Sequence, residues 1–325
     1  MNKILVFTNG EKIGDGIIKL QLIHEIKNRL PNYKIYWLTD KGTTVYSGIL
    51  NNIASKYIDY FFEQANLSPF FWKQISKKFD FNNEYFDYIL DTQKSVARTI
   101  AIKRIKHKYF ISGTANGFFS SKKLKKNSIK NKYYLNYILE LLDLIKAKKT
   151  KKSFHFPINT NLEKIISKVL NKNQIYVGVA PGAGEKNKIW NIDNFIKTCS
   201  YLQTKNFIII FFVGPDEAHL KDNLKKLFPL SIFIEDLIDN YDNIEIVMTT
   251  TKFLKLAIAN DSGVSHMLST GYCPLIKLFG PKDPNKFTPY RKNLFTISAN
   301  EFSSSNINKI TTDRVFQEIN KILNI

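Results

Sequence analysis

The chain has 325 residues, of which 44% are hydrophobic, and it carries a formal net charge of +20. Its length suffices for two domains of ordinary size, and its longest uninterrupted apolar run, 207–213, is far shorter than the roughly 20 residues of a membrane-spanning helix. Two isolated cysteines without metal-ligand spacing exclude a disulfide framework, so we expect a cytoplasmic protein without a signal peptide.

The first half of the chain alternates strand-like apolar runs with helical patterns. We predict strands at 3–7, 34–38, 57–62 and 88–90, and helices at 16–30 and 129–145. The polar, lysine-rich stretch 146–160 contains a proline and is predicted to be the crossover to a second half.

The same alternation restarts after this crossover. We predict helices at 162–170, 192–203, 217–227, 265–271 and 312–323, and strands at 175–179, 207–213, 253–259 and 275–279. Alternating strands and helices are typical of parallel sheets with right-handed crossovers. The sequence therefore predicts an α/β protein of two Rossmann-like domains, 1–160 and 161–325, which face an interdomain cleft and bind ligands at the carboxyl ends of their strands. The last helix is free to pack on either domain.

The positive charge has a compositional and a functional interpretation. Only five of the 48 basic residues are arginines, and abundant lysine is also what AT-rich codons produce. The charge is uneven, since 121–152 contains eleven lysines against two acids. This segment is either a solvated helical face or a surface for anionic lipid headgroups, which attract each nearby basic residue by about 1 kcal/mol. No nucleic-acid motif accompanies the lysines, so we expect no nucleic-acid partner.

The first turn, 9–16, follows the first strand and opens the first helix. Its glycines at 10, 14 and 16 do not fit the dinucleotide fingerprint G-x-G-x-x-G. Asp15 in this turn has two interpretations, which the spacing leaves open. It is either the N-cap of the helix or a general base that projects into the cleft.

A second loop, 180–190, follows the strand 175–179. Gly182, Ala183 and Gly184 are small residues that expose backbone N–H groups, which together can form an anion-binding concavity. Lys188 adds a point charge suited to a phosphate. The alternative is an ordinary glycine-rich loop with a solvated lysine and a tryptophan in the core.

The segment 259–266 is the most informative of the chain. It carries the chain from a strand into a helix, whose first N–H groups suit an anionic ligand such as a diphosphate. Gly263 lets such a ligand approach the backbone, and His266 is placed to donate to a phosphate. Asp261 stands beside the same spot as an acceptor for sugar hydroxyls. A carboxylate next to a phosphate cradle indicates a nucleotide-sugar binder.

Glu217 follows the strand 207–213 at a turn. It is either a carboxylate for a ribose hydroxyl or an acid that favours a helix N-terminus, and spacing alone favours the second interpretation. The sequence contains no D-x-D pair and no cluster with metal-ligand spacing, so we expect no bound metal.

Taken in chain order, these motifs resemble glycosyltransferase family 9, the bacterial heptosyltransferases that build the inner core of lipopolysaccharide. The matching segments are Ile-Gly-Asp at 13–15, Phe-Asp-Tyr-Ile-Leu-Asp-Thr-Gln at 86–93, Pro-Gly-Ala-Gly at 181–184, Gly-Pro-Asp-Glu at 214–217, Asn-Asp-Ser-Gly at 260–263 and Phe-Gly-Pro at 279–281. The resemblance implies a GT-B fold and an inverting transfer from a nucleotide-diphosphate sugar, with ADP-heptose as the expected donor and without a metal or cofactor. It makes Asp15 the general base and Lys188 the donor-phosphate lysine. The other donor contacts that it implies are Gly182, Ala183, Gly184, Glu217, Asp261, Ser262, Gly263 and His266.

The implied acceptor is a lipid-linked phosphorylated saccharide. The lysine-rich segment 121–152 would then hold the enzyme peripherally on the anionic cytoplasmic face of the inner membrane. Two departures from the family pattern concern the loops: Glu11 and Lys12 replace small residues before Asp15, and Ala183 and Gly184 stand where some members carry hydroxyl side chains. Two other classes of protein remain open, a Rossmann-fold nucleotide-dependent oxidoreductase and a non-catalytic basic protein that binds membranes or polyanions.

Overall fold

The computed structural model describes residues 2–124, 133–145, 158–269, 272–284 and 293–325. The chain forms two compact units, Met1–Phe154 and His155–Ile325, so the division falls a few residues before the predicted boundary at 160. Each unit is built on a five-stranded sheet in which all neighbouring strands are parallel.

In unit 1 the sheet has the strand order β3-β2-β1-β4-β5. Its strands are β1 (Asn2–Thr8), β2 (Tyr33–Thr39), β3 (Tyr60–Phe62), β4 (Tyr85–Asp91) and β5 (Lys106–Ser112). Its helices are α1 (Ile13–Arg29), α2 (Asn51–Ala54), α3 (Val96–Lys103) and α4 (Tyr134–Asp143). The strand order reverses between β1 and β4, and the loop after β1 therefore opens at the point where ligands bind in such sheets.

In unit 2 the order is β10-β9-β8-β6-β7. The strands are β6 (Ile175–Ala180), β7 (Phe207–Phe211), β8 (Leu254–Asn260), β9 (Leu275–Phe279) and β10 (Leu294–Ser298). The helices are α5 (Thr160–Val169), α6 (Ile192–Thr204), α7 (Lys221–Leu227), α8 (Asn243–Thr250), α9 (Gly263–Leu268) and α10 (Thr312–Leu323). The order reverses between β6 and β8, and these are the strands that precede the two loops predicted to bind the donor.

The core of each unit lies on both faces of its sheet, because strands in a parallel sheet are covered by helices on both sides. The central strands are accordingly almost fully buried. The last helix, α10, belongs to the core of unit 2. Val315 and Ile319 are buried there, and the ring of Phe316 stacks on Tyr201 of α6 with 4.3 Å between ring centroids.

The apolar runs predicted most of the strands and helices, and the helix at 312–323 has the predicted bounds. The sequence analysis missed the short helices α2, α3 and α8 and the strands β5 and β10; β5 begins with the polar residues Lys-His-Lys. The predicted helix at 217–227 is α-helical only from Lys221, because a 3-10 turn that starts with a proline, Pro215–Leu220, precedes it. The predicted crossover 146–160 lies outside the described residues except for its last three, and so do nine of the eleven lysines of the segment 121–152.

Candidate functional site

The loop 181–190 after β6 is held in place by Asn260, the last residue of β8. Its side-chain amide donates to the carbonyl of Pro181 over 2.6 Å, and its Oδ1 accepts the backbone N–H of Trp190 over 3.2 Å. Trp190 is fully buried and donates its indole N–H to the carbonyl of Ile310. Both ends of the loop are therefore fixed to the sheet, while the residues between them face outward.

Glu217 lies over the start of this loop. Its carboxylate packs against Gly182, where any Cβ would collide with it, and it lies beside the backbone N–H of Ala183. Burial, together with the neighbouring charge of Asp216, raises the pKa of Glu217 above its ordinary value. The N–H of Ala183, which was predicted to hold a phosphate, lies beside a carboxylate of the protein in this structure.

Two glycines of the predicted site leave room for a ligand beside the backbone. A Cβ built on Gly184 or on Gly263 meets no atom of the described residues within 4 Å. Both positions follow strands that flank the reversal point of the sheet, β6 and β8. A bulky anionic group can therefore approach the main chain at these two positions.

A buried ion pair joins Asp261 to a residue that the sequence analysis did not single out. The ammonium of Lys277, on β9, lies 2.7 Å from Oδ1 of Asp261, and the two side chains are 2% and 9% exposed. Burial lowers the pKa of Lys277, and the negative charge of Asp261 counteracts this effect. The sequence feature that could have indicated Lys277 is a single lysine within an apolar strand that is buried on both faces.

Lys188 and His266 lie within electrostatic reach of this pair. Burial lowers the pKa of His266 well below its usual value of 6.5, and the charges of Lys277 and Lys188 lower it further. The imidazole is therefore neutral at pH 7. Lys188 forms an ion pair of 2.7 Å with Glu185, whose side chain is 54% exposed. The structure thus brings together Lys188, Asp261 and His266, and adds Lys277.

Ser262 has a structural task in this arrangement. It is the N-cap of α9, and it forms a capping box in which its hydroxyl accepts the N–H of Ser265 while the Ser265 hydroxyl accepts the N–H of Ser262. This reciprocal pair fixes the turn that carries Asp261 and Gly263.

In unit 1, Asp15 lies in the first turn of α1. The N-cap of this helix is Lys12, and Asp15 is its third residue, so the interpretation of Asp15 as the N-cap is wrong. The side chain of Asp15 is exposed, and no hydrogen bond or ion pair from the described part of the chain holds its carboxylate. It is therefore accessible to a substrate.

Glu11, by contrast, is turned into unit 1. Its fully buried carboxylate accepts through Oε1 from the Thr8 hydroxyl over 2.7 Å, from the Lys19 ammonium over 3.0 Å and from the Trp37 indole over 3.2 Å. Its Oε2 is buried without a hydrogen-bond partner among the residues described. Glu11 thus anchors the loop between β1 and α1 from the inside and leaves Asp15 as the outward carboxylate of that turn.

The described ranges contain no group of three or more His, Cys, Asp or Glu side chains that could hold a metal ion. They also contain no helix that is both long and apolar enough to span a bilayer.

Two Rossmann-like units, each with a parallel five-stranded sheet, have the architecture of the GT-B fold, which is also that of the solved E. coli heptosyltransferase structures. The sequence profile of glycosyltransferase family 9 (heptosyltransferase) matches residues 51–314, and the chain belongs to this family. The matched range includes Lys188, Asp261, His266 and Lys277 of unit 2. It begins after Asp15, whose role stays a prediction.

Individual proteins agree with this assignment. The lipopolysaccharide core heptosyltransferase OpsX of Haemophilus influenzae is 20% identical over 286 residues, which cover 86% of this chain and 79% of that protein. A family 9 glycosyltransferase from Veillonella parvula has a similar structure, with a TM-score of 0.71, 16% identity, and coverage of 99% of this chain and 97% of the other. E. coli heptosyltransferase WaaC, solved with ADP, has a TM-score of 0.66 at 15% identity, with coverage of 98% and 99%.

Proposed function

We propose that the protein is an inverting heptosyltransferase that moves heptose from ADP-heptose to a lipopolysaccharide inner-core acceptor or a related surface glycan. The observation that carries this proposal is the cluster of Lys188, Asp261, His266 and Lys277, which places cations and one carboxylate beside open backbone. The name of the OpsX relative and the solved complexes of WaaC with ADP and with ADP-2-deoxy-2-fluoro heptose support heptose and adenine in the donor.

On the donor side, Lys188 is the group proposed to bind the diphosphate. Its present partner, Glu185, is exposed and can give way to a phosphate without leaving a buried charge behind. The neutral imidazole of His266 can donate one N–H to a diphosphate oxygen. Both groups stabilise the charge that develops on the leaving diphosphate in the transition state.

For the sugar and the ribose, carboxylates are the proposed acceptors. Lys277 holds Oδ1 of Asp261, so Oδ2 remains for a hydroxyl of the donor sugar. Glu217 is proposed to accept a ribose hydroxyl from its position over Gly182.

On the acceptor side, Asp15 is proposed to take the proton of the attacking hydroxyl as a general base. The acceptor is proposed to be a lipid-linked phosphorylated saccharide, reached from the cytoplasm at the anionic face of the inner membrane. The net charge of +20 supports attraction to such a surface. The reaction needs no cofactor, because the donor sugar is already activated by its diphosphate.

A thermal-shift panel tests the donor assignment. We expect ADP-heptose to raise the melting temperature most, since a ligand at 100-fold its dissociation constant stabilises a protein by about 2.7 kcal/mol. The panel includes other ADP-, GDP- and UDP-sugars, ADP and NADH. A shift with NADH alone would favour an oxidoreductase. Affinity for anionic polymers at low salt, with no shift for any nucleotide sugar, would favour a non-catalytic binding protein.

The substitution Gly182→Ala tests the role of Glu217. The new methyl group must displace the Glu217 carboxylate, and we expect the affinity for ADP to fall about tenfold, the value of one hydrogen bond to a charged group. Isothermal titration with ADP measures the loss. In a Glu217→Ala background the same substitution should change little, because the carboxylate is already gone. Gly184→Ala adds a methyl group in open space, and its melting temperature serves as the control for the effect of an added methyl group on the stability of the loop. Unchanged ADP affinity in Gly182→Ala would contradict the ribose assignment.

A further inference from the structure

The segment 64–79, which we call the aromatic loop, has no role in the proposed transfer. It lies in the stretch between β3 and β4, which contains no helix or strand and exceeds the roughly 12–15 residues above which loops in compact domains are usually functional. At its tip are three consecutive aromatic residues, Phe70, Phe71 and Trp72, which are 47%, 84% and 65% exposed. Side chains of this size are seldom left so exposed next to one another.

Hydrogen bonds to unit 1 hold the residues at the base of this tip in place. The guanidinium of Arg104 donates to the carbonyls of Ser68, Phe71 and Lys73, the first over 2.6 Å. Below it, the buried carboxylate of Asp40 accepts the backbone N–H of Leu67 over 2.8 Å. These hydrogen bonds anchor both sides of the loop to unit 1. The three aromatic residues are therefore exposed in a conformation that hydrogen bonds hold in place.

Basic and polar side chains surround an open pocket beside this tip. The pocket measures about 730 Å³ and is lined by Gln64, Asn66, Ser68, Lys73, Gln74, Lys77 and Lys78. The residues that line the pocket include three lysines and no acid, and the acids next to the aromatic loop, Glu63 and Asp80, are not among them. Ammonium, amide and hydroxyl groups are the donors that a phosphate group requires.

We propose that the aromatic loop is a membrane-docking element, which inserts Phe71 and Trp72 at the interface of an anionic bilayer and binds lipid phosphates through Lys73, Lys77 and Lys78. Aromatic rings beside lysines match the two layers of that interface, since the rings favour the boundary of the acyl region and the lysines favour the headgroups. A protein partner would more commonly need a broad apolar patch than three residues at the tip of a loop. The proposal rests on the proposed function in one respect only, because that function gives the reason for the enzyme to bind a membrane. The docking itself is measured without any sugar transfer.

Tryptophan fluorescence of the full-length protein tests the docking directly. Of the three tryptophans, Trp37 and Trp190 are fully buried, so a change in emission on binding reports Trp72. We expect a blue shift with vesicles of phosphatidylglycerol and phosphatidylethanolamine, and quenching by lipids brominated on their acyl chains. A Trp72→Phe variant should still bind these vesicles but show no shift. Inorganic phosphate without vesicles should leave the emission unchanged; a blue shift with phosphate alone would mark a site for a soluble ligand and overturn the proposal.

Sedimentation with the same vesicles separates the two contributions. Phe71→Ser should weaken binding about tenfold or more, from the loss of one buried aromatic side chain. Lys77→Gln should weaken binding to anionic vesicles about fivefold, and this difference should shrink at high salt. Leu230→Ser, in unit 2, replaces an apolar side chain that is 71% exposed and should bind like the wild type.

Three further results would overturn the proposal. One is the absence of vesicle binding, which would leave the aromatic loop as a candidate surface for a protein. Another is binding without a blue shift, which would assign the attachment to lysines elsewhere in the chain. The third is equal binding by Phe71→Ser and Leu230→Ser. The thermal shift with ADP-heptose is recorded for each variant, so that a failure of docking is distinguished from a failure of the proposed transferase function.

Discussion

Asp15→Asn is expected to lower the rate of sugar transfer about 10²–10⁴-fold, which is the usual contribution of a general base. The amide keeps the shape of the side chain but cannot take the proton of the acceptor hydroxyl. The fold should be unaffected, because the carboxylate is exposed and no hydrogen bond from the described residues holds it. Donor binding should persist, since the proposed donor contacts all belong to unit 2. Steady-state transfer and the thermal shift with ADP-heptose measure the two quantities separately.

The matched control is Asp222→Asn. Asp222 is also an exposed acid in the first turn of a helix, α7, and carries no proposed role. The control should transfer sugar at the wild-type rate. Near-normal turnover by Asp15→Asn would remove Asp15 as the base, and Glu11 could not replace it, because its carboxylate is fully buried and engaged by Lys19.

Lys277→Met is expected to lower the free energy of unfolding by about 3–5 kcal/mol, because it leaves the buried charge of Asp261 without its partner. The double variant Lys277→Met/Asp261→Asn should recover most of this stability, since neither charge remains buried. It should not recover donor affinity, because the proposed sugar contact of Asp261 and a cation near the diphosphate are both lost. Urea unfolding measures the free energy of unfolding, and titration with ADP-heptose measures the donor affinity.

The control for this substitution is Lys221→Met. Lys221 forms an ion pair of 2.6 Å with Asp236, but the two side chains are 25% and 37% exposed, and such pairs contribute at most about 1 kcal/mol. A second reading comes from His266, whose pKa the charge of Lys277 lowers. Its titration, followed by NMR, should move upward in Lys277→Met and stay in place in Lys221→Met. Equal stability losses in the two lysine variants would show that the Asp261–Lys277 pair is not specially important.

Much of the candidate donor site could be predicted because its parts are local. Asp261, Gly263 and His266 belong to one strand–turn–helix segment, and an apolar run followed by a polar turn indicates such a segment without knowledge of the rest of the chain. The same holds for the small residues after β6. The exposure of Asp15 and the inward position of Glu11, two acids in one turn, could not be predicted, because both depend on which side of the loop packs against Trp37 and Lys19.

The sequence by itself determined the α/β class, the parallel sheets and the segments that carry the chemistry, because hydrophobic periodicity and turn residues act over a few neighbouring positions. Only the tertiary structure decided which distant residues meet. Lys277 reaches Asp261 because β9 pairs with β8, in a register that places Lys277 opposite Ala259. Glu217 covers Gly182 because the turns after β6 and β7, which are neighbouring strands, lie side by side. Strand order and register depend on the packing free energy of a whole unit, and no local pattern contains that quantity.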